Sequence, residues 1–135
     1  MYSNYGYGMN DVAAPGGNPD NTETPAPCSN DVTNTFPGNA WACISGTSMA
    51  SPHAAGVAAL IVSQFGRVAT DAGGSDVVMR PQEVESYLQS TAIDQGLPGY
   101  DECFGNGRID AFRAVEHDTS RLYDETAPPC PEYAE

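Results

Sequence analysis

Gly46-Thr47-Ser48-Met49-Ala50-Ser51-Pro52-His53-Ala54-Ala55-Gly56 runs without a break into the apolar segment at residues 57–65. From Ser48 to Phe65 there is no Asp, Glu, Lys or Arg. A helix that is apolar all round belongs in a core rather than on a surface. Ala50, Ala54, Ala55, Gly56, Ala58 and Ala59 leave little bulk, so neighbouring elements can approach it closely. At 1.5 Å per residue the helix would run ~27 Å, about the width of a small domain. The residues alone leave its start open. Ser51-Pro52 makes a good N-cap and N1 pair, whereas an earlier start puts Pro52 inside and removes a helical hydrogen bond. A hydroxyl at such a start sees free backbone N–H groups and the positive end of the helix dipole. Those groups can hold an oxyanion beside a nucleophile.

The run Gly-Thr-Ser-Met-Ala-Ser-Pro-His-x-Ala-Gly resembles the nucleophile motif of the subtilisin-like serine proteases, the subtilases. The resemblance places the helix start near Thr47 or Ser48. It implies that Ser48 is the nucleophile, that its own N–H forms part of the oxyanion hole, and that Ser45, Gly46 and Thr47 bind substrate. The implied fold is α/β: the C-terminal portion of a subtilisin-like parallel-sheet domain, its sheet incomplete, with a buried central helix carrying the nucleophile. The implied activity is serine endopeptidase cleavage of peptides or proteins through an acyl-enzyme. No cofactor is needed for that chemistry and no catalytic metal is implied, although a longer protein leaves room for a structural calcium ion. The implied location is extracellular.

The flanks support the same resemblance. Tyr2-Ser3-Asn4-Tyr5-Gly6 followed by Asp11-Val12-Ala13-Ala14-Pro15-Gly16 is similar to the subtilase segment ahead of the nucleophile. Asp11 stands where some members hold a weakly bound cation, although a solvated or turn-forming role suits it better. Residues 81–92 read as an amphipathic helix, with Pro81 at N1, acids in the first turn, and Val84, Tyr87, Leu88 and Ala92 on one face. Residues 105–115 resemble the family's closing segment, with Asp110 capping a last helix.

A serine hydroxyl needs a base to take its proton and a group to orient that base. Subtilases supply these as Asp and then His, both ahead of the serine. Residues 1–47 contain no His at all. His53 lies about 140° around a helix from Ser48, so their side chains diverge. His117 has no triad context. Neither is assigned, and the oxyanion-hole Asn is not identifiable. The expectation is a fragment whose partner is the missing N-terminal half of the domain, the isolated chain being inactive. The competing expectation is a truncated module with a structural or binding role.

The remaining chain fits around this reading. Residues 1–117 form the domain portion, beginning as strand, turn, strand up to a stop at Pro15-Gly16-Gly17. An insertion loop covers about 18–34, and a hairpin at 35–44 delivers the nucleophile, with Trp41 as a packing residue. Residues 66–80 read as a polar loop, and 118–135 as an acidic, Pro-containing flexible tail. Cys28, Cys43, Cys103 and Cys130 suit disulfides in an oxidising compartment. Three pairings are open, and Cys28–Cys43 is preferred because it closes the loop ahead of Ser48.

Charge bounds the partners. Five Arg, no Lys and 18 acids give a net charge of -13. A nucleic-acid backbone would be repelled, and an anionic membrane surface is disfavoured on the same ground. The apolar helix contains Ser, Pro, His and Gln and does not read as a membrane span. The residues after Met1 lack the basic and apolar regions of a signal peptide.

Overall fold

The computed structural model describes residues 5–17, 31–69 and 76–127. Strand β1 (Val32–Phe36) pairs antiparallel with β2 (Ala40–Ile44), from Val32↔Ile44 to Phe36↔Ala40. The turn between them is Pro37-Gly38-Asn39. Gly38 and Asn39 both adopt positive φ, 81° and 59°, as tight hairpin turns require. The hairpin starts three residues earlier than the sequence suggested, taking in Val32, Thr33 and Asn34 from the expected insertion. Residues 18–30 of that insertion lie outside the described residues. Trp41 is not the packing residue expected of it. It shares a face with Thr33, Thr35 and Cys43 and is 72% exposed.

Helix α1 (Thr47–Phe65) takes the earlier of the two candidate starts, with Gly46 as N-cap and Pro52 inside. Only one stripe of it is covered. Val57 and Ile61 are buried, with Ala54 and Phe65 packed in line at helical spacing. Ile109 and Ala114 close the core against them, joined at its margin by Val12, Ala14, Met79, Tyr87 and Leu88. The opposite stripe, Ala55, Gly56, Ala59, Leu60 and Ser63, faces outward, and Leu60 is 47% exposed. Among the described residues, a helix apolar on every side therefore has core neighbours along one stripe. A Cβ added at Gly56 would meet nothing within 4 Å. Gly56→Ala should accordingly stabilise this chain by roughly 1 kcal/mol, read as a higher urea midpoint. A lower midpoint would mean that this stripe is packed in solution.

After α1, the segment expected as a polar loop contains a short ladder. Strands β3 (Arg67–Val68) and β4 (Val77–Val78) pair antiparallel. Helix α2 (Pro81–Ser90) follows, two residues shorter than expected. It ends at Thr91, whose backbone N–H and Oγ1 both donate to the Tyr87 carbonyl, at 3.1 and 2.7 Å. At its start Glu83 accepts from the Arg80 backbone N–H at 3.0 Å and from the Arg80 guanidinium at 2.7 Å. Those bonds hold the Glu83 carboxyl down at about 2, against an ordinary 4.5. A depressed carboxyl stabilises the fold above its unfolded value, and that support is lost as pH falls through the folded value. The circular dichroism signal of α2 should therefore weaken between pH 4.5 and about 2. Glu83→Gln should flatten that step.

Helix α3 (Ala111–Glu116) starts as expected, Asp110 accepting from the Arg113 backbone N–H at 2.9 Å. Arg113 itself is buried. Its guanidinium donates to the carbonyls of Thr91, Asp118 and Ser120 and to the Asp118 carboxylate. Residues 118–124, the first part of the expected flexible tail 118–135, are thereby docked. Asp94 N–H donates to Leu122 O, and Asp124 N–H donates to Asp94 O, each at 2.9 Å. Residues 128–135 lie outside the described residues.

The expected strand-turn-strand at the N-terminus reduces to a turn at 7–9 and isolated bridges, Val12↔Gly105 and Ala13↔Arg108. Residues 1–4 lie outside the described residues, and the long-range backbone bonds of 5–14 run to residues 102–109, so no local ladder forms among the described residues. The whole is a mixed α/β arrangement. Among the described residues its ladders are small and antiparallel, and its parallel contacts are single bridges.

Candidate active site

The segment that presents Ser48 is held from two sides. Gly46 N–H donates to Gly16 O at 2.7 Å, and a Cβ on Gly16 would sit 2.8 Å from Gly46 O. Next to it, a Cβ on Gly17 would meet Ser45 Cβ at 2.7 Å and Asp31 Cα at 3.2 Å. The Pro-Gly-Gly stretch is thus more than a stop. Its two glycines let one backbone lie directly against the strand end that leads to Ser48.

From Gly46 the chain turns straight into helix. Gly46 O accepts from Met49 N–H at 2.9 Å and from Ala50 N–H at 3.3 Å, forming the first turn. Ser48 is the second residue of α1, and both it and Thr47 are exposed, while Ser45 and Gly46 are half-buried. The N–H groups of Thr47 and Ser48 have no acceptor inside the helix, as for any first turn. Pro52 carries no N–H, so the Ser48 carbonyl also loses its helical donor. Ser48 opens onto a cavity of about 270 Å³ shared with Val32, Thr33 and Asn34 of β1 and with Met49, Pro52 and His53 of α1.

His53 does not serve Ser48. Its Nδ1 lies 2.8 Å from Met49 O. A carbonyl can only accept, so Nδ1 is the donor and the ring is tied to its own helix. His117 stacks on Tyr87, centroids 4.1 Å apart and planes 13° apart, with Phe65 beside the pair. Both histidines have structural surroundings.

Asp11 sits away from this centre. Its Oδ1 accepts from Gln89 Nε2 at 3.3 Å, and its carbonyl accepts from the backbone and side chain of Asn106 at 2.8 and 2.9 Å. Among the described residues no group of three His, Cys, Asp or Glu is placed to hold a metal ion. Cys43 is disulfide-bonded in β2, its Sγ 3.3 Å from Thr33 Oγ1, and Cys103 is disulfide-bonded as well. The expected partner Cys28 lies outside the described residues.

An α/β scaffold that presents a serine hydroxyl on the first turn of its longest helix has the arrangement of the α/β serine hydrolases. Residues 1–107 match the profile of the subtilase family, and the chain belongs to that family of serine endopeptidases. It is 35% identical over 116 residues to the thermophilic serine proteinase of Bacillus sp. (strain AK1), covering 86% of this chain and 22% of that protein. It is 33% identical over 116 residues to thermitase of Thermoactinomyces vulgaris, covering 86% of this chain and 31% of thermitase. A crystal structure of a lanthipeptide protease superposes with a TM-score of 0.58 at 26% identity, over 76% of this chain and 33% of that one. The chain thus spans less than a third of the length of the two curated relatives.

Proposed function

We propose that this chain is the nucleophile-bearing C-terminal portion of an extracellular subtilase that hydrolyses peptide bonds. Ser48 attacks the scissile carbonyl, and its own N–H donates to the oxyanion that forms. Ser45, Gly46 and Thr47 line the path of the substrate backbone, and no cofactor takes part. Residues 1–117 belong to the catalytic domain, with an insertion near 18–34, and a Cys28–Cys43 disulfide closes the loop before the nucleophile. The observation that carries the reading is the exposed Ser48 on the first turn of α1, inside a family match that covers most of the chain.

The base and its orienting carboxylate come from a preceding N-terminal portion. Residues 1–47 hold no His, and His53 is tied to Met49 O. The isolated chain is therefore inactive. The deciding experiment is labelling with a fluorophosphonate probe. The 135 residues alone should stay unlabelled, and a polypeptide that also contains the family's Asp and His segments should label stoichiometrically at Ser48. Labelling elsewhere, or none in the longer polypeptide, would refute the assignment. In that second case the chain is an inactive module.

A further inference from the structure

A second cavity, of about 310 Å³, opens between the end of α2, the loop around residues 94–106 and the docked segment 119–122. Asp94 and Arg121 both line it, with Tyr100, Asn106 and Ser120. Three of the four polar positions of Asp94 are occupied. Its N–H donates to Leu122 O, its carbonyl accepts from Asp124 N–H, and Oδ2 accepts from Gly99 N–H at 2.7 Å. Oδ1 is buried and has no partner. A carboxylate oxygen withdrawn from water without a donor is costly. Arg121 does not relieve it. The ion pairs among the described residues are Arg67–Glu83, Arg80–Glu83 and Arg113–Asp118. One carboxylate and one guanidinium therefore border the same space without meeting. The neutral lining adds an acceptor and a donor. Asn106 uses Nδ2 on Asp11 O, which leaves its Oδ1. Tyr100 accepts from Gly8 N–H, which leaves its hydroxyl proton.

We propose that this cavity binds a small zwitterion, a free amino acid or a dipeptide. The ligand's ammonium donates to Asp94 Oδ1, and its carboxylate accepts from Arg121. Oδ1 is closed off in the unliganded chain, so binding requires the Asp94 carboxylate to turn about its soft terminal torsion and to share its Gly99 N–H bond with the ligand's ammonium. An ammonium has three donors to share between Asp94 and Asn106, and a guanidinium fork matches a carboxylate. The volume stands at the small end of ligand pockets, which suits a ligand of this size. A bare metal ion fits poorly, because the lining offers one carboxylate and an arginine.

The test uses the full 135-residue chain, isotope-labelled, with the amide signals of Gly99, Arg121 and Asp94 followed by NMR. The ligand is alanyl-alanine, compared with its N-acetylated and C-amidated forms. The free dipeptide should give saturable shifts in the millimolar range, and blocking either end should weaken binding about tenfold or more. Asp94→Asn keeps an acceptor for Gly99 N–H, and Arg121→Gln changes an exposed side chain, so both variants keep the fold. Each should weaken the free dipeptide by a similar factor. Absence of saturable shifts, equal binding of the blocked peptides, or wild-type binding by both variants would overturn the proposal. Binding is read without turnover, so the outcome is independent of the role of Ser48.

Discussion

Ser48→Ala is expected to abolish covalent labelling and to lower kcat by on the order of 10⁶ in a polypeptide that also contains the Asp and His segments. The size of the loss follows from the triad acting as a unit: once the nucleophile is gone, the base and its orienter have nothing to activate. A residual ~10³-fold or more over the uncatalysed rate should survive, because the backbone donors of the first turn still hold a developing oxyanion. The fold should be unaffected, since Ser48 is exposed and, among the described residues, no side-chain hydrogen bond caps the helix start. The measurement is single-turnover hydrolysis of a peptide ester beside probe labelling. A loss of tenfold or less would show that another group attacks.

Gly107→Val should destabilise the chain by at least about 3 kcal/mol, a large share of an ordinary domain's net stability. Gly107 has φ +116°, and a Cβ there would sit 2.2 Å from Ile93 O and 2.7 Å from Ile93 C. Both obstacles are backbone, and both belong to the crossing where Ile93 and Arg108 exchange hydrogen bonds while Ala13 donates to Gly107 O and accepts from Ile109 N–H. Nothing there can move without breaking that crossing. Gly99→Ala is the matched control: φ is +91°, but no atom lies within 4 Å. It should cost about 1 kcal/mol, the conformational term alone. Urea midpoints of the two variants separate the clash from the strain, and equal midpoints would refute the close approach.

Helices were legible where one short-range rule governed them. The uncharged run fixed α1, Pro81 with its acids fixed the start of α2, and Asp110 fixed the start of α3. The errors lay where a distant partner decides local form. Residues 5–14 carry strand-like composition, but their partners are at 100–109, so only bridges form. Trp41 looks like a core residue by type, yet the face it occupies has no layer above it among the described residues. The tail looked loose by composition. Arg113 holds it down together with the backbone bonds of Asp94, and no periodicity marks a side chain that bonds carbonyls in two separate segments. The place of Ser48 on the first turn of α1 was legible because the motif that carries the family resemblance is contiguous. The packing of Gly16 and Gly17 against it was not, because those glycines lie some thirty residues ahead of it in the chain.

The N-terminal segment has a further consequence for how the chain assembles in time. Gly6, Gly8 and Ala13 donate to Glu102 O, Tyr100 Oη and Gly107 O, and Asp11 O receives Asn106 N–H. Residues 5–14 therefore cannot settle until the segment at 100–109 has been made. α1, built from contacts three and four residues apart, forms long before that. Closing a loop of some ninety residues adds an entropic barrier that grows only with the logarithm of its length. Capture of residues 5–14 by the segment at 100–109 is therefore expected to follow the local helices, as a late docking step.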